Sequence, residues 1–217
     1  MSDFAAGSAF LAALDGAREE TEPFRHWTLR DVLDADTLAG LKAWPHAAPR
    51  VRYDRGRREE NNATRRYVDA EAVDTFPPAR AIAEALQDAR VTGAIEARCG
   101  AALAGTNLRI EYAQDGDGFW LEPHTDIGVK MFTMFVYLED GDEGRDLGTD
   151  LFSSPTTHAK RLAFVDNAAT IFIPGEDTWH GFRKRPIDGV RRSLIVNYVT
   201  SEWRNRHELA WPDRPVG

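Results

Sequence analysis

The chain has 217 residues, 42% hydrophobic and 29% charged, and 27 basic against 35 acidic side chains give a formal net charge of −8 at pH 7. That length suits one large domain spanning 1–217, and the apolar share is enough for a packed core, which argues against general disorder or a multi-domain array. The acid excess argues against a globally basic nucleic-acid binder, though not against a local basic patch.

One cysteine, Cys99, cannot make an internal disulfide, and no Cys-x-x-Cys pair offers a zinc site. A reducing, cytoplasmic setting is expected. The first twenty residues lack a positively charged start, and their apolar stretch is broken by Gly7, Ser8 and Asp15, so they read as an amphipathic helix and not as a signal peptide. No stretch approaches the roughly 18 uninterrupted apolar residues of a membrane helix, and no membrane partner is expected.

In chain order, helical patterns come first. Residues 5–16 form one predicted helix, a short strand covers about 25–32, and 35–43 (ADTLAGLKA) form a second helix with Asp34 as its N-cap. Residues 78–99 predict one or two alanine-rich helices broken near Thr92-Gly93, with Cys99 as a small buried hydrophobe. Beyond residue 105 the texture changes. The segments TNLRIEYAQ, KMFTMFVYL, RLAFVDN, ATIFIPG and RRSLIVNYVT are β-branched and aromatic runs separated by turn signals at Asp115-Gly116-Asp117-Gly118, Gly141-Asp142 and Asp188-Gly189. About eight short strands with no helices between them predict an antiparallel barrel or jelly roll. The expected plan is mostly β with a helical N-terminal layer: a support region 1–104, a double-stranded β-helix (jelly-roll) core 105–200 and a C-terminal tail 201–217. A site would form in the barrel mouth.

The chemistry concentrates in LEPHTDIG. In an extended segment the side-chain period is two, so His124 and Asp126 share a face and present an imidazole nitrogen beside a carboxylate. His180, 54 residues beyond Asp126 in EDTWHGF, is the candidate third ligand. Two histidines and a carboxylate make the facial triad of non-haem Fe(II) oxygenases, which leaves three coordination positions open. Each histidine taken alone also fits a core residue bonded to a backbone carbonyl. Eleven residues after His180, Arg191 and Ser193 are again two apart on one strand face. A guanidinium fork with a neighbouring hydroxyl can clamp a carboxylate.

The order His124-x-Asp126, His180, Arg191-x-Ser193 on a late run of strands resembles the iron(II)- and 2-oxoglutarate-dependent oxygenases, and within them the prolyl-4-hydroxylase-like branch. The resemblance covers about residues 105–200, and more loosely FRHWTLRDVLDADTLAGL before them. It implies the double-stranded β-helix fold, Fe(II) held by His124, Asp126 and His180, and 2-oxoglutarate and O2 as cosubstrates, with the far carboxylate of 2-oxoglutarate on Arg191 and Ser193. It also implies cosubstrate roles for Tyr112, on the strand entering the metal loop, and for Thr133, ahead of Tyr137-Leu138. A carboxylate at Asp126 implies hydroxylation or a related oxidation and not halogenation, with succinate and CO2 released.

The spacing from Tyr112 to His124 is longer than the family's, through QDGDG, and DGDEGRDLGTDLF replaces a Gly-Gly-Glu-Thr-like segment of the family. That departure points away from protein prolyl hydroxylation and towards a small molecule, an amino acid or a peptide. Trp120 and Trp179 flank the site in sequence and are read either as packing or as substrate-pocket lining. His26, His46, His158 and His207 lack a partnered spacing and are read as structural or exposed. Arg192 is expected on the face opposite Arg191. Residues 50–66 carry seven arginines against three acids, a solvated face or a cover over the site, and residues 183–192 carry five basic residues against Asp188. Both basic stretches are expected where small carboxylates enter. Two other readings stand beside the oxygenase: a non-catalytic jelly-roll module binding a small carboxylate, and a cupin-type isomerase or dioxygenase. The oligomeric state is not readable from the sequence.

Overall fold

The computed structural model describes residues 4–48, 53, 56–57, 63–138 and 146–217. Helix α1 (Ala5–Asp15) is followed by strands β1 (Arg18–Glu20) and β2 (His26–Leu29) and by helix α2 (Ala35–Lys42). The Asp34 carboxylate caps α2, accepting from the backbone N–H groups of Asp36 and Thr37 at 3.2 Å each. Strand β3 (Arg65–Tyr67) precedes helices α3 (Ala70–Thr75), α4 (Pro77–Gln87) and α5 (Ala89–Cys99). The expected break at Thr92-Gly93 is corrected: it falls at Asp88, whose extended backbone ends α4 and whose side chain caps α5 through Arg90 N. Gly93 sits inside α5 without interrupting it, and a side chain there would have open space. Gly40 of α2 lies so close to Pro78 of α4 that any side chain there would clash.

Strands β4 (Asn107–Asp115), β5 (Leu121–His124), β6 (Lys130–Tyr137), β7 (Asp150–Ser154), β8 (Thr157–Arg161), β9 (Ala169–Phe172), β10 (His180–Phe182) and β11 (Arg191–Val199) follow. A 3-10 turn, Arg206–Glu208, marks the tail. The described strands form a seven-stranded sheet ordered β1-β2-β9-β6-β11-β4-β3 and a four-stranded sheet ordered β5-β10-β7-β8, with every pairing antiparallel. The 161–167 run is corrected: β8 stops at Arg161, and Leu162 and Phe164 are buried without strand pairing. The chain turns there through Asn167, whose φ is +55°. The unforeseen β1 and β3 are three residues each, too short to leave a periodic signal.

Two apolar cores stack in layers. One packs the helices against one face of the large sheet, through residues such as Phe10, Leu41, Ile82, Ile95, Ile110 and Val196. The other fills the space between the sheets, with Phe119, Phe135, Leu151, Phe172, Phe182 and Ile195. Every residue of β4 is buried, because that strand has a core on both faces. Its outer edge is shared: β3 pairs with residues 111–113, while the tail covers the lower half through Ala210 N to Leu108 O at 3.1 Å and Val216 N to Thr106 O at 2.7 Å. Among the described residues no helix is long and apolar enough to cross a membrane. Cys99 is free and buried.

Candidate metal centre and adjoining cavity

β5 and β10 are neighbours in the small sheet, and their register sets His124 directly across from His180. Gly181 permits this approach, since a Cβ there would stand 2.7 Å from Leu121 O. The two imidazole centroids are 4.4 Å apart, with the rings inclined at 51°. Both rings are held alike: Nδ1 of His124 donates to Glu122 O at 2.9 Å, and Nδ1 of His180 donates to Thr178 O at 3.0 Å. A carbonyl only accepts, so the proton sits on Nδ1 and the lone pair on Nε2. The carbonyl bonds expected of core histidines and the geometry required of metal ligands are therefore the same arrangement. Asp126 completes the group, and one ligand atom from each of the three lies within 4.8 Å of the others.

Asp126 is nearly buried and doubly held. Lys130 Nζ donates to Oδ1 at 2.5 Å and Thr133 Oγ1 donates to Oδ2 at 2.6 Å. Burial opposes ionisation, but the Lys130 ammonium and the two hydrogen bonds outweigh it and hold the carboxyl well below the usual range. Burial, reinforced by the neighbouring His124 ring, pushes His180 down to about 3. At neutral pH the site thus offers an anionic oxygen and a neutral imidazole.

A narrow cavity of about 20 Å³ runs between the sheets from His180 to Arg191. Phe119, Phe135, Phe182 and Ile195 form its apolar walls, and Arg65, Asp115, Thr149, Arg191 and Ser193 its polar end. Arg191 and Ser193 alternate with Arg192 and Leu194 along β11, so both point inward, as the period of two requires. Arg191 Nη1 donates to Asp115 Oδ2 at 2.8 Å and Nε to Leu147 O at 2.7 Å, with the guanidinium 4.8 Å from the Phe182 ring centroid.

The other expected residues divide. Thr133 belongs to the metal end, as a donor to Asp126. Tyr112 is a correction: it pairs with Leu194 in the ladder and faces the helices, packed 5.2 Å from the Trp44 ring in the other core. Its neighbours Ala113 and Glu111 have the opposite parity, so Tyr112 lies on the far side of the sheet from the cavity. Trp120 and Trp179 are half-buried and do not line that cavity; the Trp120 ring lies against Gly56. Most of the 50–66 stretch lies outside the described residues, but Arg65 within it is buried in the cavity wall.

A polar network that no spacing announced links the two ends of the site. Asn197 Nδ2 donates to Thr133 Oγ1 at 2.9 Å, and Arg109 Nη1 to Asn197 Oδ1 at 3.4 Å. Arg109 also binds Glu111 at 2.9 Å and Glu208 at 2.6 Å. Glu111 and Asp115 then flank Arg65, at 3.2 Å each. Elsewhere the basic stretch after β10 folds onto buried Asp150, which accepts from Arg183 N and Arg185 Nη1 as well as Arg161 Nε. Within that stretch the Arg185 guanidinium is bound to Asp150, Arg183 reaches it through its backbone N–H, and Arg183 and Lys184 are exposed.

No family model matches the chain and no curated protein matches it. Its structure is similar to that of a prolyl-4-hydroxylase from Pseudomonas putida, with 17% identity and a TM-score of 0.58 over 89% of this chain and 94% of that one. It is also similar to a prolyl hydroxylase from Trichoplax adhaerens in complex with a hypoxia inducible factor peptide fragment, with 11% identity and a TM-score of 0.59 over 92% and 91%. A third similar structure is the non-heme alpha ketoglutarate dependent epimerase of nogalamycin biosynthesis, with 17% identity and a TM-score of 0.52 over 91% and 84%. The chain has the fold of these proteins, two of them prolyl hydroxylases.

Proposed function

We propose that the protein is an Fe(II)- and 2-oxoglutarate-dependent oxygenase that hydroxylates a small molecule, an amino acid or a peptide. The strands β4 to β11 then make up a jelly roll, a reading supported by their division into β4, β6, β9 and β11 in one sheet and β5, β7, β8 and β10 in the other. One observation carries the functional reading: the His124, Asp126 and His180 ligand atoms cluster together, and His180 lines the same cavity as Arg191 and Ser193.

The donor set fits iron(II). Two imidazole nitrogens and one carboxylate oxygen are the facial set that suits it, and the carbonyl bonds to both Nδ1 atoms leave Nε2 as the ligating nitrogen. Bound there, iron(II) with 2-oxoglutarate and O2 supplies the oxidation, and the oxo acid leaves as succinate and CO2. The chain's own residues do the rest. His124, Asp126 and His180 hold the ion, and Thr133 keeps one oxygen of the Asp126 carboxylate oriented. Arg191 and Ser193 orient the cosubstrate through its far carboxylate. The rings of Phe119, Phe135 and Phe182 keep bulk water from the reacting atoms.

The substrate class stays broad. The similar structures include one in complex with a peptide fragment and one named for nogalamycin biosynthesis, and both peptides and small molecules fall within the proposal. Anaerobic addition of Fe(II) and 2-oxoglutarate is expected to give a weak visible charge-transfer band, and a screen of amino acids, short peptides and anionic metabolites to reveal substrate-coupled succinate. Arg191→Ala is expected to raise the 2-oxoglutarate requirement far more than it weakens metal binding. Carboxylate binding with no band and no succinate would favour a non-catalytic binding module instead.

A further inference from the structure

Two guanidinium groups reach the polar end of the cavity. Arg65 arrives from β3, in register with Ala113, which is itself in register with Ser193 on β11. The three positions form a row across the large sheet, and the small Ala113 side chain leaves room in its middle. The Arg65 side chain is 1% exposed. It stands 3.2 Å from Glu111 Oε1 and 3.2 Å from Asp115 Oδ1, yet none of its three guanidinium nitrogens makes an aligned hydrogen bond. Asp115 Oδ1 makes none either, while Oδ2 accepts from Arg191 at 2.8 Å.

A buried guanidinium carries five N–H groups, and leaving them without acceptors is costly. A residue that only latched β3 to the sheet would satisfy them with its own ion pairs. Those of Arg65 are off-axis, and the group lines the cavity that Arg191, Ser193 and Thr149 also line.

We propose that Arg65 and Arg191 form a two-guanidinium receptor, organised by Asp115, for the cosubstrate carboxylate remote from the metal. The inference rests on the oxygenase reading above. Arg65 then sets specificity for dicarboxylic over monocarboxylic 2-oxo acids: the second guanidinium gains an aligned acceptor when a far carboxylate arrives.

Calorimetric titration of the full chain loaded with Mn(II), a redox-inactive stand-in, tests this. Arg65→Gln is expected to weaken 2-oxoglutarate binding about tenfold or more, while leaving Mn(II) binding and the affinity for 2-oxobutyrate, which lacks the far carboxylate, within about twofold. Arg65→Lys, which keeps the charge but loses the fork, is expected to weaken 2-oxoglutarate binding about threefold or more, and it decides the matter if Arg65→Gln does not fold. Retention of wild-type 2-oxoglutarate affinity in either folded variant overturns the proposal, as does an equal loss for 2-oxobutyrate. Failure of the wild-type protein to bind 2-oxoglutarate would instead bring down the oxygenase reading, and this inference with it.

Discussion

Thr133 donates its hydroxyl hydrogen to Asp126 at 2.6 Å and itself accepts the Asn197 amide at 2.9 Å. The carboxylate of the candidate metal ligand is thus oriented by a strand in the opposite sheet. Thr133→Val preserves shape and removes that donor. Mn(II) affinity, measured by paramagnetic resonance or calorimetry, is expected to fall about tenfold or more, in line with other partners of metal ligands.

Lys130 sets a positive charge 2.5 Å from the other Asp126 oxygen. A divalent cation held by that carboxylate must contend with it. Lys130→Met is therefore expected to tighten Mn(II) binding, by about tenfold for a charge this close. Weaker binding in the variant would mean that Lys130 supports the metal-bound form.

The buried His180 ring makes the metal-free fold sensitive to acid. Its folded value of about 3 lies below the ordinary 6.5, so between those values the unfolded chain binds a proton that the folded chain does not. The stability tied to the neutral ring is complete above about pH 6.5 and drains away as the pH falls towards about 3. Urea midpoints of the metal-free protein, followed from about pH 7.5 to about pH 4, are expected to decline with a shallower slope in His180→Gln.

Asn167 serves the fold alone. Its side chain accepts from Leu33 N at 2.9 Å and donates to Leu33 O at 2.8 Å, from a backbone with φ of +55°. Asn167→Ala loses both bonds and places a Cβ-bearing residue with no local bond in the left-handed region, for an expected loss of about 2–3 kcal/mol in chemical denaturation. Asn167→Gly is expected to recover about 1 kcal/mol of that.

The parts of the site visible in the sequence are those whose geometry follows from a single strand. Arg191 and Ser193 face one way because strand side chains alternate, whereas β5 ends at His124 and Asp126, in the loop beyond it, is brought to the site by Lys130 and Thr133 of β6. Tyr112 shares the parity of Leu108 and Ile110 in the alternating run NLRIEY, so strand periodicity itself places it on the helix-facing side, against the role that the family resemblance implies. Asp115 was hidden inside a turn signal, although it is the last residue of β4 and lies across from Arg191. Arg65 was hidden in a charge run, since a strand of three residues leaves no period to read. Lys130, Asn197 and Arg109 act through partners fixed only by cross-strand register and by the tail. The helix boundaries followed local chemistry where a side chain caps, as at Asp34, and missed the break at Asp88 because alanine-rich sequence runs through it.

The place of β11 bears on how the protein is made. It is the last strand in the chain, yet it lies between β4 and β6 in the middle of the large sheet. Until it inserts, β4 with β3 and β6 with β9 are separate ribbons. His124, Asp126 and His180 all precede it, so a growing chain carries the three candidate metal ligands before Arg191 exists. Synthesis from the N-terminus therefore withholds the arginine at the far end of the cavity until the final strand joins the halves. A chain clipped before Arg191 keeps all three candidate ligands and lacks the arginine that lines the cavity.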